Sequence, residues 1–414
     1  MHYGKFIIIV LDSLGIGAMD DAAQVRPQDI EANTLKHLLE RGKNISFDTL
    51  IELGLINALG EEINGYKKNP KAVFGASNLA HFGGDTYFGH QEILGTKPLK
   101  PVLNRFADFI DIIEADLQKA GYTTARVASA SDSGGKDKGQ NSSSLSLLSV
   151  NNAAFIGDNL ETDPGQAINV TGSFDLIDFE GIKQIGSIVR KRVGVSRVIA
   201  FGGKNVSFDN LIAAIRQKNG YIGIDAPLSG VYREGYQVIH IGYGVDTAVQ
   251  LPNVLYQKGI TSYLYGKVAD IVENPNGKLS PGVDTAAVFD EMLKDLKEIK
   301  EGFFCLNVQE TDLAGHLQDI DYYVDRLNIA DLKIREVIKT MSGDDILIIM
   351  ADHGNDPTIN SKHTREKVPI LIYKRGLESK NIGLRQTLSD AGATAANFFG
   401  AKLSYGTSFL GLLI

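Results

Sequence analysis

Ile346-Leu347-Ile348-Ile349-Met350 runs straight into Ala351-Asp352-His353-Gly354-Asn355-Asp356-Pro357, and His363-Thr364-Arg365-Glu366 follows shortly after. The apolar, β-branched run predicts a buried strand. The Gly-, Asn- and Pro-containing stretch behind it predicts a loop. A carboxylate and an imidazole at the tip of a buried strand, with His363 ten residues after His353, make half of a candidate metal site.

Working outward, comparable apolar runs occupy residues 6–11, 303–308 and 368–373. Residues 285–299 and 319–341 carry apolar side chains at helical spacing. Strands alternating with helices predict an α/β fold whose core holds a mostly parallel sheet between helices. In such sheets ligands collect beyond the carboxyl ends of the strands. Asp12, Asp312 and Asp352 each follow a predicted strand. They converge on one edge of the sheet if those strands are neighbours.

The middle of the chain reads differently. Residues 128–144 form a Ser- and Gly-rich loop, and short strands are expected at 198–201 and 222–224 with a helix at 210–218 between them. We read residues 99–243 as an α+β cap domain inserted into a metal-binding catalytic core of residues 1–98 and 244–414. Lys97-Pro98 and Tyr243-Gly244 punctuate the two joints. A length of 414 residues agrees with two domains. No internal repeat is visible.

A net charge of −8 argues against nucleic acid as a partner. It leaves an anionic substrate open, because bound divalent cations reverse the local field. The one cysteine, Cys305, allows no disulfide within the chain. That fits a reducing cytoplasm, and Cys305 is expected to be a small buried hydrophobe. The first apolar run stops at Asp12, too short to span a bilayer, and no cleavage-site pattern follows it. Neither a signal peptide nor a membrane partner is therefore expected.

The candidate ligands are Asp12, Asp85, Thr86, Asp312, His316, Asp352, His353 and His363. Carboxylates and imidazoles without cysteine suit manganese, zinc or another borderline divalent ion. So many ligands exceed one tetrahedral site and suit two ions. Two ions about 3.5–4 Å apart clamp the attacking and leaving oxygens of an in-line phosphoryl displacement. In Asp312-Leu313-Ala314-Gly315-His316, Gly315 is expected to permit a tight turn that returns His316 to Asp312. Gly83-Gly84-Asp85-Thr86-Tyr87-Phe88-Gly89-His90 supports two readings. Asp-Thr is either a helix N-cap or the seat of a nucleophile, with Thr86 activated by a metal at a helix N-terminus. The other ligands favour the second.

On these motifs the chain resembles phosphopentomutases, members of the alkaline phosphatase superfamily, which also holds cofactor-independent phosphoglycerate mutases. The resemblance rests on Val10-Leu11-Asp12-Ser13-Leu14-Gly15-Ile16-Gly17, Gly84-Asp85-Thr86, Gly89-His90-Gln91-Glu92-Ile93, Gly266-Lys267-Val268-Ala269-Asp270-Ile271, residues 312–316 and residues 351–369. Leu384-Arg385-Gln386-Thr387 and Gly406-Thr407-Ser408-Phe409 extend it. It implies an alkaline-phosphatase-like core and a catalytic Thr86 that becomes phosphorylated and bridges the metals. It implies one ion on Asp12, Asp352 and His353, and a second on Asp312, His316 and His363. Manganese is the expected metal, with zinc or magnesium as alternatives. A sugar bisphosphate would prime Thr86, and phosphate would then move between the 5- and 1-oxygens of a pentose.

The chain departs from the family pattern in places. Gly84 stands where the family has Lys, Gln91 where it has Trp, and the chain holds no Trp at all. Gly157-Asp158-Asn159-Leu160-Glu161-Thr162-Asp163-Pro164-Gly165 replaces the family's sugar-binding cap segment. The metal and nucleophile residues carry over, whereas the cap does not carry the ribose assignment. A divergent member with another phosphorylated small molecule as substrate is one alternative. A phosphatase or other phosphoester hydrolase is a second, if water reaches phospho-Thr86. A non-catalytic metal-binding paralogue is a third. Outside the motifs, Asp158, Glu161 and Asp163 read as a solvated acidic loop and Lys204 as a turn. His81 reads as exposed, His90 as structural and Arg365 as a phosphate contact. The sequence sets no oligomeric state.

Overall fold

Lys5–Leu11 is buried along its whole length, as a strand covered on both faces must be. It is the first of eight strands in one sheet: Lys5–Leu11 (β1), Val73–Ser77 (β2), Ser262–Tyr265 (β3), Lys278–Ser280 (β4), Gly302–Val308 (β5), Ile346–Met350 (β6), Val368–Tyr373 (β7) and Lys380–Arg385 (β8). Their spatial order is β4-β3-β5-β1-β6-β7-β2-β8. Only β7 runs against its neighbours; the other pairings are parallel. This is the mostly parallel α/β sheet expected from the sequence. The computed structural model describes residues 3–128, 145–161 and 165–414. They divide into two compact units, Met1–Pro98 with Gly244–Ile414, and Leu99–Tyr243.

In the first unit, Ile8 pairs with Cys305 on one side and Ile348 on the other, all without solvent exposure. Fully burying such a side chain stabilises by about 1.5–3 kcal/mol. The three central strands are therefore held in register by their own composition. Burial pushes the Cys305 thiol up to about 12, leaving it the inert hydrophobe the sequence predicts.

The helices that bear on the site are Asp48–Glu52 (α1), Thr86–Ile93 (α2), Lys267–Ile271 (α3), Thr285–Glu298 (α4), Glu310–Leu317 (α5) and Ile320–Thr340 (α6). α4 starts where Asp284 accepts the Ala287 N–H, and α6 where Asp319 accepts the Tyr322 N–H. α6 buries Tyr323, Leu327, Ala330, Ile334 and Val337 at helical spacing. Because β5, β1 and β6 are adjacent, the acids that follow them share one edge. No helix among the described residues is long and apolar enough to cross a membrane.

The second unit is α+β. Six of its strands form one sheet in the order Gln237–Gly242, Arg197–Gly203, Ala167–Ser173, Ala154–Asp158, Ser146–Val150 and Thr124–Ala128. Helices Ile110–Lys119 and Phe179–Arg190 cover one face through Ile113, Leu117, Ile182 and Ile185. The helix expected at 210–218 is shorter and earlier, Phe208–Ala213. Ile215–Lys218 is instead a strand paired with Tyr221–Ile224. The turn between them is Asn219-Gly220, both at positive φ, a combination that closes two-residue hairpins. Asp158 is not solvated as expected. It is buried, and its carboxylate accepts the N–H groups of Phe106 and Ile222. Glu161 is exposed and accepts the Tyr232 hydroxyl. Lys204 is an exposed turn residue. Thr162 and Asp163, and most of the Ser/Gly-rich loop, lie outside the described residues.

Candidate active site

Asp12 is the first residue after β1, and Asp352 lies two residues beyond β6. Asp12 Oδ2 accepts from Asn307 Nδ2 at 3.0 Å, and Asp352 Oδ1 accepts the Ser13 N–H at 3.2 Å. Asp12 Oδ1 and Asp352 Oδ2 are buried and accept no hydrogen bond. Each lies 3.4 Å from His353 Nε2. That same nitrogen is 2.7 Å from Thr86 Oγ1.

Asp312 sits in the first turn of α5. His363 Nε2 lies 3.2 Å from Asp312 Oδ1, and His316 Nε2 lies 3.4 Å from Asp312 Oδ2. The two imidazoles meet Nε2 to Nε2 at 3.0 Å. Two ligand groups result, Asp12-Asp352-His353 and Asp312-His353-His363, each with its ligand atoms within 4.8 Å of one another. His316 borders the second.

The ring orientations show what these groups fit. His353 Nδ1 faces Gly354 O at 2.9 Å, His316 Nδ1 faces Ser361 O at 2.8 Å, and His363 Nδ1 faces Gly84 O at 3.1 Å. A carbonyl only accepts, so each Nδ1 carries a proton, and each ring would turn its Nε2 lone pair inward once a cation takes the place of the Nε2 proton. Three imidazoles and three carboxylates thus face one another at the end of the sheet. Such an array coheres around cations. The mixed oxygen and nitrogen donors fit borderline divalent metal ions.

The electrostatics agree. Burial, then Asp352, pushes Asp12 above the usual carboxylate range. Although burial opposes it, Asp352 and Asp12 raise His353 to about 10. His316 and His363 hold Asp312 well below its ordinary value despite its burial. Lys267, at the start of α3, lies 3.8 Å from Asp12 Oδ2 and 3.6 Å from Asp312 Oδ2. These acids raise its ammonium against the burial penalty. Positive charge is favoured at every point of this edge.

Local structure explains several motif glycines. Asp85 accepts the Phe88 N–H at 3.0 Å, so it caps α2 as the first reading of Asp-Thr expects, and Thr86 opens the helix. A Cβ at Gly84 would lie 2.9 Å from Thr364 O, which leaves no room for the family's Lys. A Cβ at Gly89 would lie 2.8 Å from the Asp352 Cβ, so α2 packs directly on the metal strand's end. The turn expected at Gly315 is absent, because Asp312 and His316 are four apart on the continuous helix α5. Gly315 is needed instead because a Cβ would meet Asn355 Cγ at 2.5 Å.

Two other expectations are corrected. His81 is buried, not exposed. Its Nδ1 lies 2.7 Å from Glu92 Oε2 and its Nε2 accepts the Asp85 N–H at 3.4 Å, which braces the loop before Thr86. Arg365 does not face a phosphate. It is buried against both Asp21 oxygens and the carbonyls of His81 and Gly83, bracing the same loop. His90 is buried and structural, with Nδ1 on Thr86 O at 2.9 Å. Gln91 takes the family Trp position by donating to Ile271 O and accepting from Gln250. Lys267, Asn307 and Ser13 were not singled out as site residues. Gly266-Lys267 offered a signal for the first: Gly266 has φ +72°, and a Cβ there would lie 2.4 Å from Asn307 O. Ser13, at φ 71°, shows no sequence signal for its strained backbone.

The family described as the metalloenzyme superfamily matches residues 4–403. The chain is 28% identical over 414 residues to a phosphopentomutase of Alkaliphilus oremlandii, covering 95% of this chain and 94% of that one. It is 28% identical over 423 residues to a phosphopentomutase of Clostridioides difficile, covering 98% and 99%. Among solved structures it is similar to a Leishmania mexicana phosphoglycerate mutase studied at low cobalt concentration, with TM-score 0.48, 13% identity and coverage of 99% and 97%. With the match running over nearly its whole length and two ligand groups at the end of its central strands, the chain belongs to the metalloenzyme superfamily.

Proposed function

We propose that this protein is a two-metal phosphomutase that moves a phosphoryl group between the 1- and 5-oxygens of a pentose phosphate through phospho-Thr86. One observation carries the reading: Thr86 Oγ1 lies 2.7 Å from Nε2 of His353, the residue common to both ligand groups. Both phosphopentomutase relatives align over almost their full lengths, which supports the substrate class.

In this reading Asp12, Asp352 and His353 hold one divalent ion, and Asp312, His316 and His363 hold the second. Thr86 would join them as a further ligand. Manganese is the preferred metal, with zinc or magnesium as alternatives. Bound there, the ions lower the pKa of the Thr86 hydroxyl and screen the phosphoryl charge.

Thr86 Oγ1 bonds to the phosphorus of a priming sugar bisphosphate as the sugar P–O bond breaks. The threonine proton ends on the departing sugar oxygen. The free hydroxyl oxygen of a pentose monophosphate then bonds to that phosphorus as the Oγ1–P bond breaks and the hydroxyl proton passes to Thr86, which gives a pentose bisphosphate; Thr86 next takes the phosphoryl group from its other position, leaving the isomeric monophosphate and phospho-Thr86. Because Thr86 opens α2, the phosphoryl group lies at that helix's positive end. Lys267 offsets the charge of Asp12 and Asp312. The unit Leu99–Tyr243 serves as the cap. The substrate is a small phosphorylated sugar, and the setting is the cytoplasm.

Thr86→Ala tests the assignment. Turnover should fall on the order of 10⁴-fold or more, with metal content and thermal midpoint retained. Stable phosphorylation of the variant by substrate would refute Thr86 as carrier. Net release of inorganic phosphate by the wild type, without isomerisation, would replace the mutase with a hydrolase.

A further inference from the structure

The sheet's other end carries a second concavity. β2 and β8 begin there and β7 finishes there, opposite the edge that holds the metal ligands. A pocket of about 460 Å³ opens at this end, within the range of small-molecule sites. Val73, Ile338, Ile372 and Tyr373 supply an apolar floor among its lining residues.

Its rim is cationic. Lys71, Arg335, Lys374 and Arg375 line it together with one carboxylate, Glu52, and Arg335 Nη2 also lies 4.0 Å from Asp331 Oδ2. In a chain of net charge −8 this is a local reversal of sign. The two arginines are anchored: Arg335 Nε donates to Thr49 Oγ1 at 3.0 Å, and Arg375 donates to Met341 O at 3.1 Å. Guanidinium groups held this way lose little freedom when they meet an anion. The two lysines are different. Neither the Lys71 nor the Lys374 ammonium has a partner among the described residues, although Lys374 is partly buried. Lys36, Lys43 and Lys333, by contrast, each meet a carboxylate.

We infer that this pocket binds a nucleoside phosphate, with its phosphates on the four cations and its base on the aliphatic floor against Tyr373. A flat apolar body matches that floor, and two or more phosphate charges match the rim. The site stands on its own geometry and does not rest on the proposed reaction.

Isothermal titration of the metal-loaded full chain with ADP tests it, with pyrophosphate and adenosine as the two comparison ligands. ADP should bind saturably and at least tenfold more tightly than either fragment. The double variant Lys374→Glu, Arg375→Glu should weaken ADP at least tenfold, while Thr86→Ala leaves ADP affinity unchanged. If the double variant does not fold, Lys71→Glu at an exposed position gives the same readout. Absence of saturable ADP binding, unchanged affinity in the pocket variants, or loss of binding in Thr86→Ala would overturn the assignment. Pyrophosphate binding as tightly as ADP would overturn the nucleoside class.

Discussion

His353 Nε2 faces Asp12, Asp352 and Thr86 within 3.4 Å, so one side chain ties a ligand group to the candidate nucleophile. His353→Ala removes a ligand and the Thr86 contact together. It should lower metal stoichiometry as well as turnover, measurable by elemental analysis of the dialysed protein. Gly315→Ala is a subtler probe. Its methyl would press on Asn355, which donates to Asp312 Oδ1 at 3.1 Å. We expect metal affinity to fall about 10–100-fold, the usual cost of disturbing a ligand's support, read by competition with a chelator. That these Asp and His side chains come together was legible because Asp and His at strand ends have few structural reasons to recur together. Gly315 was misread because sequence cannot tell a turn glycine from one pressed by a distant residue. Arg365 and His81 were misread for a similar reason: their partners, Asp21 and Glu92, are set by the fold rather than by any local spacing.

At the scale of elements, the edge of the sheet depends on braces around α2. Glu92 accepts from Ala80 N, His81 N, Thr387 Oγ1 and Leu388 N. Burial raises its carboxyl, but the hydrogen bonds and charge of His81, with Thr387 and Ala80, hold it below its ordinary 4.5. A depressed carboxylate contributes stability that is complete above its unfolded value and fades as pH falls through the folded one. Glu92→Gln should therefore destabilise by about 3 kcal/mol near pH 7, with the difference from wild type shrinking in acid below about pH 4.5. Denaturant titration across that range checks it. The strands β1, β5, β6 and β7 were readable because burial on both faces leaves an unbroken apolar run, whereas β2, β4 and β8 are only partly buried and, with the short β3, were not read. The strand expected at 222–224 is there, but its partner Ile215–Lys218 was read as helix, although Asn219-Gly220 marks the turn between them, because that strand is short and only partly apolar.

For the whole molecule, the joints at Pro98 and Gly244 were legible from their residues, whereas the interior of the inserted unit was not. Its two apolar clusters lie on opposite faces of a sheet whose inner strands are buried on both sides, as the neighbours Leu147 and Leu148 show. Residues 99–243 hold a core of their own. Expressed alone, they should unfold cooperatively and keep the same midpoint with or without a chelator. The full chain should behave otherwise: chelation should lower its stability by about 3 kcal/mol for each ion present at a hundredfold excess over its Kd. Scanning calorimetry on both proteins separates these outcomes. The most direct test of the account is anomalous diffraction from crystals grown with manganese. It predicts two peaks, one among Asp12, Asp352 and His353 beside Thr86 Oγ1, the other among Asp312, His316 and His363. A single peak, or cations remote from the Thr86 hydroxyl, would contradict it.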